Sequence, residues 1–324
     1  MASRSQSPHK RSSLAAQFEG LHISQIAYKT INLPTALKKT FRVNFPSRAK
    51  LTLKMDPMYD YNRFTPDPEE VFQESIGYLE EIQAVVSSLQ EKDLPYEDHL
   101  VESMVMMIFT SNSLENAGSS HPITFGICKP IFAGEEVPEQ FEEWDPQYQA
   151  ALDYLISQKI SPHESALARS RRQVIQHALA LKYLTYHMVI KREDLTEEAF
   201  KETHRILTDG IDADNKEKDK SADYGGIYRV TSVGWTFTAF ANPDDIPKRM
   251  ADTIEAFNKT IKQAEVEKSF DPFAVASKYF HTFLNIHPFL DGNSRLCRLL
   301  MNVIILKYTG IMIPIGRDSV EAAK

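Results

Sequence analysis

The sequence predicts a mainly α-helical protein with one short β-hairpin, and three observations carry that prediction. Beyond residue 66, apolar residues recur every three or four positions through most of the chain. Acidic residues and prolines open several of these stretches, and glycines close others, as helix ends require. One segment, IYRVTSVGWTFTAF, instead concentrates β-branched and aromatic residues.

Residues 1–66 lack periodicity and are scattered with Pro, Lys and aromatic residues, so a poorly structured N-terminal region is expected. A helical region is expected over 67–194. DPEEVFQESIGYLEEIQAVVSSLQEK repeats apolar positions at helical spacing, and HLVESMVMMIFTSNSLENAG does so until Gly118. PQYQAALDYLISQ and ALARSRRQVIQHALALKYLTYHMVI are further amphipathic candidates. In a third unit, 195–324, DLTEEAFKETHRILTDG is a helix with Asp194 placed as its cap. The charged DADNKEKDKSADYGG reads as a solvated loop, followed by a hairpin around Gly234. DDIPKRMADTIEAFNKTIKQAE and DPFAVASKYFHTFLNI return to helix, and the closing RDSVEAAK looks like a helix just begun.

The totals exclude several classes. With 324 residues, 42% of them hydrophobic, the chain can bury a sizeable core. A formal charge of −7 provides no field for gripping nucleic acid. Cys128 and Cys297 are too few for a disulfide framework or a four-cysteine zinc site. The longest apolar run, LLMNVIIL, is under half of the ~18 residues that span a bilayer. MASRSQSPHKRSS has no following apolar core of a secretory signal. A cytoplasmic or nuclear protein without membrane contact is expected.

Chemistry concentrates in HPFLDGNSRLCRLLMN, residues 287–302. Pro288 disfavours helix at His287, so a helix should begin near Gly292 after a tight Asp291-Gly292-Asn293 turn. The N–H groups of such a terminus favour an anion. Arg295, Arg298 and Asn302 then share one stripe, while Leu296, Leu299, Leu300, Val303 and Ile304 cover buried faces. Buried guanidinium groups need anionic partners, and together with the N–H donors they would cradle a polyphosphate. A carboxylate there, Asp291, implies an intervening cation, usually Mg2+. His287 titrates near neutrality and could take a proton from an attacking hydroxyl. Plainer readings stay open: a structural His287, a capping Asp291, arginines paired with acids of the fold, or a metal site from His281, His287 and Asp291.

These residues resemble the signature of the Fic (Fido-domain) family, HPFx[DE]GNGRxxR, at every specified position except Ser294, where glycine is usual. GGIYR at 225–229 and DDIPKRM at 244–250 resemble the family's flanks. The resemblance implies a Fic-type helical bundle with a β-hairpin flap, a Fido catalytic domain over 195–324, and Mg-dependent transfer of AMP from ATP to a Ser, Thr or Tyr hydroxyl of a protein. It implies that His287 is the general base and Asp291 the metal ligand. Gly292, Asn293 and Ser294 would surround the α-phosphate, with Arg295 and Arg298 on the β- and γ-phosphates. Tyr228, Val230 and Thr231 would lie near a strand edge that docks the target, unless the hairpin merely covers the core.

A second stretch, Ser111-Asn112-Ser113-Leu114-Glu115-Asn116, resembles the family's inhibitory [ST]xxxE[GN], within an inhibitory helix at about 98–118. A carboxylate at a helix C-terminus opposes the dipole, so Glu115 calls for a cation, and Arg298 is the candidate. The expected partners are ATP, Mg2+ and a protein substrate, with auto-modification and a homodimer open. Removal of AMP, transfer of phosphate because of Ser294, or a silent nucleotide-binding module are the alternatives on the same fold.

Overall fold

A computed structural model describes residues 27–44, 50–51, 68–88, 90, 94–141, 144–212, 224–235 and 238–316. The expectations for the first residues, most of the charged loop and RDSVEAAK lie outside them.

Among the described residues nearly all regular structure is helical. In chain order it runs α1 (Leu33–Asn44), β1 (Lys50–Leu51), α2 (Pro68–Ser88), α3 (Leu94–Ser113), α4 (His121–Ala133), α5 (Tyr148–Ser157) and α6 (Glu164–Thr185), which continues into a π-helical turn, Tyr186–Ile190. Then come α7 (Glu197–Thr208), β2 (Gly234–Trp235), β3 (Thr238–Ala239), a 3-10 turn at Pro243–Asp245, α8 (Ile246–Glu267), β4 (Ser269–Phe270), α9 (Pro272–Ile286) and α10 (Asn293–Thr309).

Helix α10 is the axis of the core. Leu296, Leu299, Leu300, Val303 and Ile304 are all buried, each worth about 1.5–3 kcal/mol of transfer free energy. It packs on α9, α6 and α7, with α2 and α3 behind. Local chemistry sets its partners' ends. Asp271 caps α9 by accepting from the N–H groups of Phe273 and Ala274 at 3.1 and 2.9 Å, and Pro272 supplies a ready-made φ. Helix α9 stops at His287, whose φ of 49° is left-handed, directly before Pro288.

Three local expectations are corrected. The segment 1–66 contains a packed helix: Leu33, Leu37 and Phe41 of α1 repeat every fourth position and are buried. Its three anchors sit among lysines, so the apolar signal is thin. Asp194 does not cap α7. Thr196 does, accepting from the Ala199 N–H at 3.0 Å, while Asp194 pairs with Lys262 at 2.6 Å. Gly234 is not at the hairpin's turn. It stands in β2, opposite Ala239 of antiparallel β3. A second ladder, parallel, joins β1 to β4. Helix α4, with Pro122 at its start and Pro130 within it, is an addition to the expected elements.

Candidate functional site

The turn between α9 and α10 is built by its own side chains. Asn293, buried, accepts from the Phe289 N–H at 3.0 Å and donates to the Phe289 carbonyl at 2.9 Å. Its amide therefore braces the loop. Gly292 takes φ 77°, and a Cβ there would come within 3.2 Å of both His204 Nε2 and Thr208 Cγ2. Left-handed geometry and lack of space both require glycine.

His204 holds this turn from below. Its Nε2 donates to the Asp291 carbonyl at 2.8 Å and its Nδ1 accepts from the Gly226 N–H at 2.9 Å, which fixes a neutral tautomer. The ring stacks on Phe289 with centroids 3.7 Å apart. Burial pushes its pKa down to about 4, outweighing the Asp291 carbonyl, which favours the proton. Sequence reasoning missed this residue, although Phe200, His204 and Leu207 fall on one apolar face of α7.

The Asp291 carboxylate turns back on its own loop. Oδ1 accepts the Gly292 N–H at 2.6 Å, and Oδ2 lies 3.1 Å from Arg295 Nη2. The Gly292 N–H is thus occupied. The donors left facing outward are the first-turn N–H groups of Asn293, Ser294 and Arg295, because no side chain caps α10. Half-buried Ser294 stands in that turn.

Arg298 is buried one turn further on. It donates from Nε to Ser111 Oγ at 2.7 Å and from Nη2 to the Ser111 carbonyl at 3.0 Å and to Glu115 Oε1 at 2.6 Å. The turn carrying Glu115 is itself fastened to α6. Asn112 Oδ1 meets His177 Nδ1 at 2.8 Å, the Gly118 N–H donates to Gln173 at 2.9 Å and Ser170 donates to the Gly118 carbonyl at 2.6 Å. Burial, aided by Arg295 and Arg298, keeps His177 neutral. Asn302 belongs elsewhere, accepting from the Ile313 N–H at 2.8 Å. Seven residues of helix carry it about 10 Å from Arg295.

His287 closes the opposite side. Its ring stacks on Phe240 at 4.0 Å. Nδ1 is buried without a hydrogen bond of good geometry, although the Leu284 carbonyl beside it favours the protonated ring. Desolvation and then the Arg229 guanidinium outweigh that carbonyl and hold the pKa below 6.5, so the ring is neutral at pH 7.

The flap residues separate. The Tyr228 ring is packed between Lys201 Nζ, 4.1 Å from its centroid, and Phe289, 5.5 Å away. Val230 and Thr231 are exposed, yet both precede the β2–β3 ladder.

No group of three or more His, Cys, Asp or Glu that could hold a metal exists among the described residues. Asp291 is a single carboxylate beside outward N–H groups and the Arg295 guanidinium, which fits a cation that binds one protein carboxylate and takes its other oxygens from phosphates and water. No helix among the described residues is long and apolar enough to cross a membrane.

Comparison with known proteins points to one family. The profile of the Fic/DOC family matches residues 194–305. A Fido domain-containing protein of Dictyostelium discoideum is 34% identical over 100 residues, covering 31% of this chain and 67% of that protein. The Protein adenylyltransferase Fic of Nematostella vectensis is 25% identical over 246 residues, 76% of this chain but 47% of that protein, so the chain spans about half of it. The fold is similar to that of a Fic domain containing signaling protein from Bacteroides thetaiotaomicron, with a TM-score of 0.53 at 19% identity over 76% of this chain and 78% of that one. A singly substituted fragment of Fic-1 from C. elegans gives 0.52 at 18% identity over 81% of this chain and 66% of that one. A helical bundle centred on α10, the HPFLDGNSRLCR turn at its head and these matches place the chain in the Fic/DOC family.

Proposed function

We propose that this chain transfers AMP from ATP to a Ser, Thr or Tyr hydroxyl of a protein, and that Glu115 restrains the reaction. The observation carrying the proposal is the placing of Asp291 and its partner Arg295 at the head of α10, just after His287, with Arg298 one turn on and the Glu115 carboxylate upon it. In this reading the first-turn N–H groups of α10 and Arg295 hold the phosphates of ATP. Asp291 would hold Mg2+, which neutralises charge on the leaving phosphates.

With Nδ1 sealed, Nε2 of His287 is the nitrogen available as base. It takes the proton of the target hydroxyl as the oxygen attacks the α-phosphorus. The bond from that phosphorus to the bridging oxygen of the β-phosphate breaks, and pyrophosphate leaves. A neutral ring is the form required, and burial and Arg229 favour it. Serine at 294 adds one small neutral hydroxyl and no charge, which suits the ordinary orientation of ATP.

The test is intact-mass spectrometry of the Glu115→Gly protein with Mg·ATP, beside separate incubations with α- and γ-labelled ATP. A gain of an adenylyl mass with α-label alone is expected, abolished by His287→Ala. A phosphoryl mass with γ-label would replace this reading with phosphotransfer. Transfer persisting in His287→Ala would remove the assigned base.

A further inference from the structure

Arg229 is 5% exposed, and no carboxylate pairs with it among the described residues. A buried guanidinium without a counterion is costly unless its N–H groups are well satisfied. Here backbone carbonyls satisfy them. Nε donates to His287 at 2.7 Å, Nη1 to Thr231 at 2.8 Å, and Nη2 to Ala241 at 2.6 Å and Ile286 at 3.4 Å. The Arg229 main-chain N–H reaches the Pro288 carbonyl at 2.9 Å. Residues 286–288 are thereby tied to positions on both sides of the β2–β3 ladder.

We propose that Arg229 is a positioning residue for the transfer, a clamp that makes the loop bearing His287 and the hairpin before it move as one unit. The proposal rests on the reading of His287 as the base. Two routes lead from the clamp to that ring. One runs through the His287 carbonyl, which fixes a backbone at left-handed φ 49° that an unheld residue would leave. The other runs through Ala241, whose neighbour Phe240 covers the imidazole face at 4.0 Å.

The geometry asks for arginine specifically. A planar fork with five donors can serve carbonyls from three segments, whereas an ammonium is a single point at the end of a flexible stem. Arg229 also brings a fixed positive charge to His287, alongside the carboxylates of Asp291 from the α10 turn and Glu115 from the end of α3. Hairpin and imidazole would then be set by one side chain, so that a hydroxyl positioned by the first arrives within reach of the second.

The test compares Arg229→Lys and Arg229→Gln in the Glu115→Gly background. Hydrogen exchange of peptides spanning 228–242 and 284–290 should accelerate at least about tenfold in both variants, with peptides of α10 unchanged. In transfer assays kcat should fall about 100-fold, the size of effect expected from displacing a base by about 1 Å. Nucleotide Kd should stay within about threefold of the parent, since the clamp does not touch the cradle. Removing the charge in Arg229→Gln, but not in Arg229→Lys, should move the acid limb of the pH profile to higher pH.

Exchange that rises in only one of the two segments overturns the clamp. So does kcat within about threefold of the parent, or nucleotide affinity falling in step with the rate, which marks a general loss of structure. A Glu115→Gly parent inert towards Mg·ATP would instead sink the adenylyl-transfer reading, and the exchange measurement, which needs no activity, would still decide the clamp.

Discussion

Glu115 Oε1 and Arg298 Nη2 stand 2.6 Å apart although 183 residues separate them in the chain. The guanidinium is nearly buried, at 8% side-chain exposure, while the carboxylate is 35% exposed. Solvent therefore screens the Glu115 end, and this pair is better suited to being opened than to holding the fold. In the reading proposed above, a terminal phosphate replaces the carboxylate on Arg298 only if Glu115 withdraws.

The first prediction follows from that competition. Glu115→Gly should raise the rate of adenylyl transfer by about 5–150-fold, the range of a typical coupling between two sites. Glu115→Gln keeps the shape and one hydrogen bond but loses the charge, and should reach part of that rise. Initial rates with α-labelled ATP decide it, and equal rates in all three proteins would eliminate the brake.

Ser111 gives a graded version of the same contact. Its hydroxyl accepts from Arg298 Nε at 2.7 Å, while its carbonyl and Glu115 take the other bonds. Ser111→Ala should therefore loosen Arg298 by roughly the net value of one hydrogen bond, raising transfer about threefold. Combined with Glu115→Gly it should add nothing, if Ser111 acts only by holding Arg298 in the braked position. A full additional threefold in the double variant would assign Ser111 a separate role.

Asn293 separates a bracing role from a ligand role. Asn293→Ala would leave the Phe289 N–H and carbonyl without partners in a buried turn. A loss of about 2–4 kcal/mol of unfolding free energy is expected in urea titrations. Ser294→Ala, which removes a hydroxyl with no such duty, should stay within about 0.5 kcal/mol of the parent. Reversed sizes would overturn the bracing role of the Asn293 amide.

The legible parts of this site were those written in side-chain spacing. Arg295 and Arg298, three apart on an otherwise apolar helix, could be read as sharing a face, and Asp291 before Gly292 as the head of that helix. The approach of Glu115 to Arg298 could not be read from spacing, because tertiary packing brings α3 to α10. It came through the resemblance of two short motifs. Arg229 stood in the GGIYR stretch, but its bonding was hidden for a different reason: its hydrogen-bond partners are backbone carbonyls, and a carbonyl leaves no mark in a sequence. Asn302 misled because a stripe on a helix wheel ignores the rise along the axis. Helix α1 was hidden by its composition, since three apolar residues suffice to anchor it when each is fully used.

Two buried histidines make stability depend on acid in a calculable direction. Burial lowers the pKa of His204 to about 4 from 6.5, and that of His177 shifts the same way. The unfolded chain thus binds protons that the folded protein refuses between pH 6.5 and about 4, so stability is full above that window and falls as pH drops through it. For His204 alone the eventual loss is about 3 kcal/mol. His204→Gln offers a discriminating variant, because an amide can still donate to the Asp291 carbonyl and accept from the Gly226 N–H without titrating. It should be less stable than the parent at pH 7, having lost the stack on Phe289 at 3.7 Å. On moving to pH 5 the gap should narrow by about 2 kcal/mol, since only the parent bears the cost of a neutral His204, and His177 cancels in the difference. Urea unfolding of both proteins at the two pH values measures it. A gap that stays constant would mean that His204 is as easily protonated in the folded protein as in the unfolded chain, which its two hydrogen bonds in this buried turn forbid.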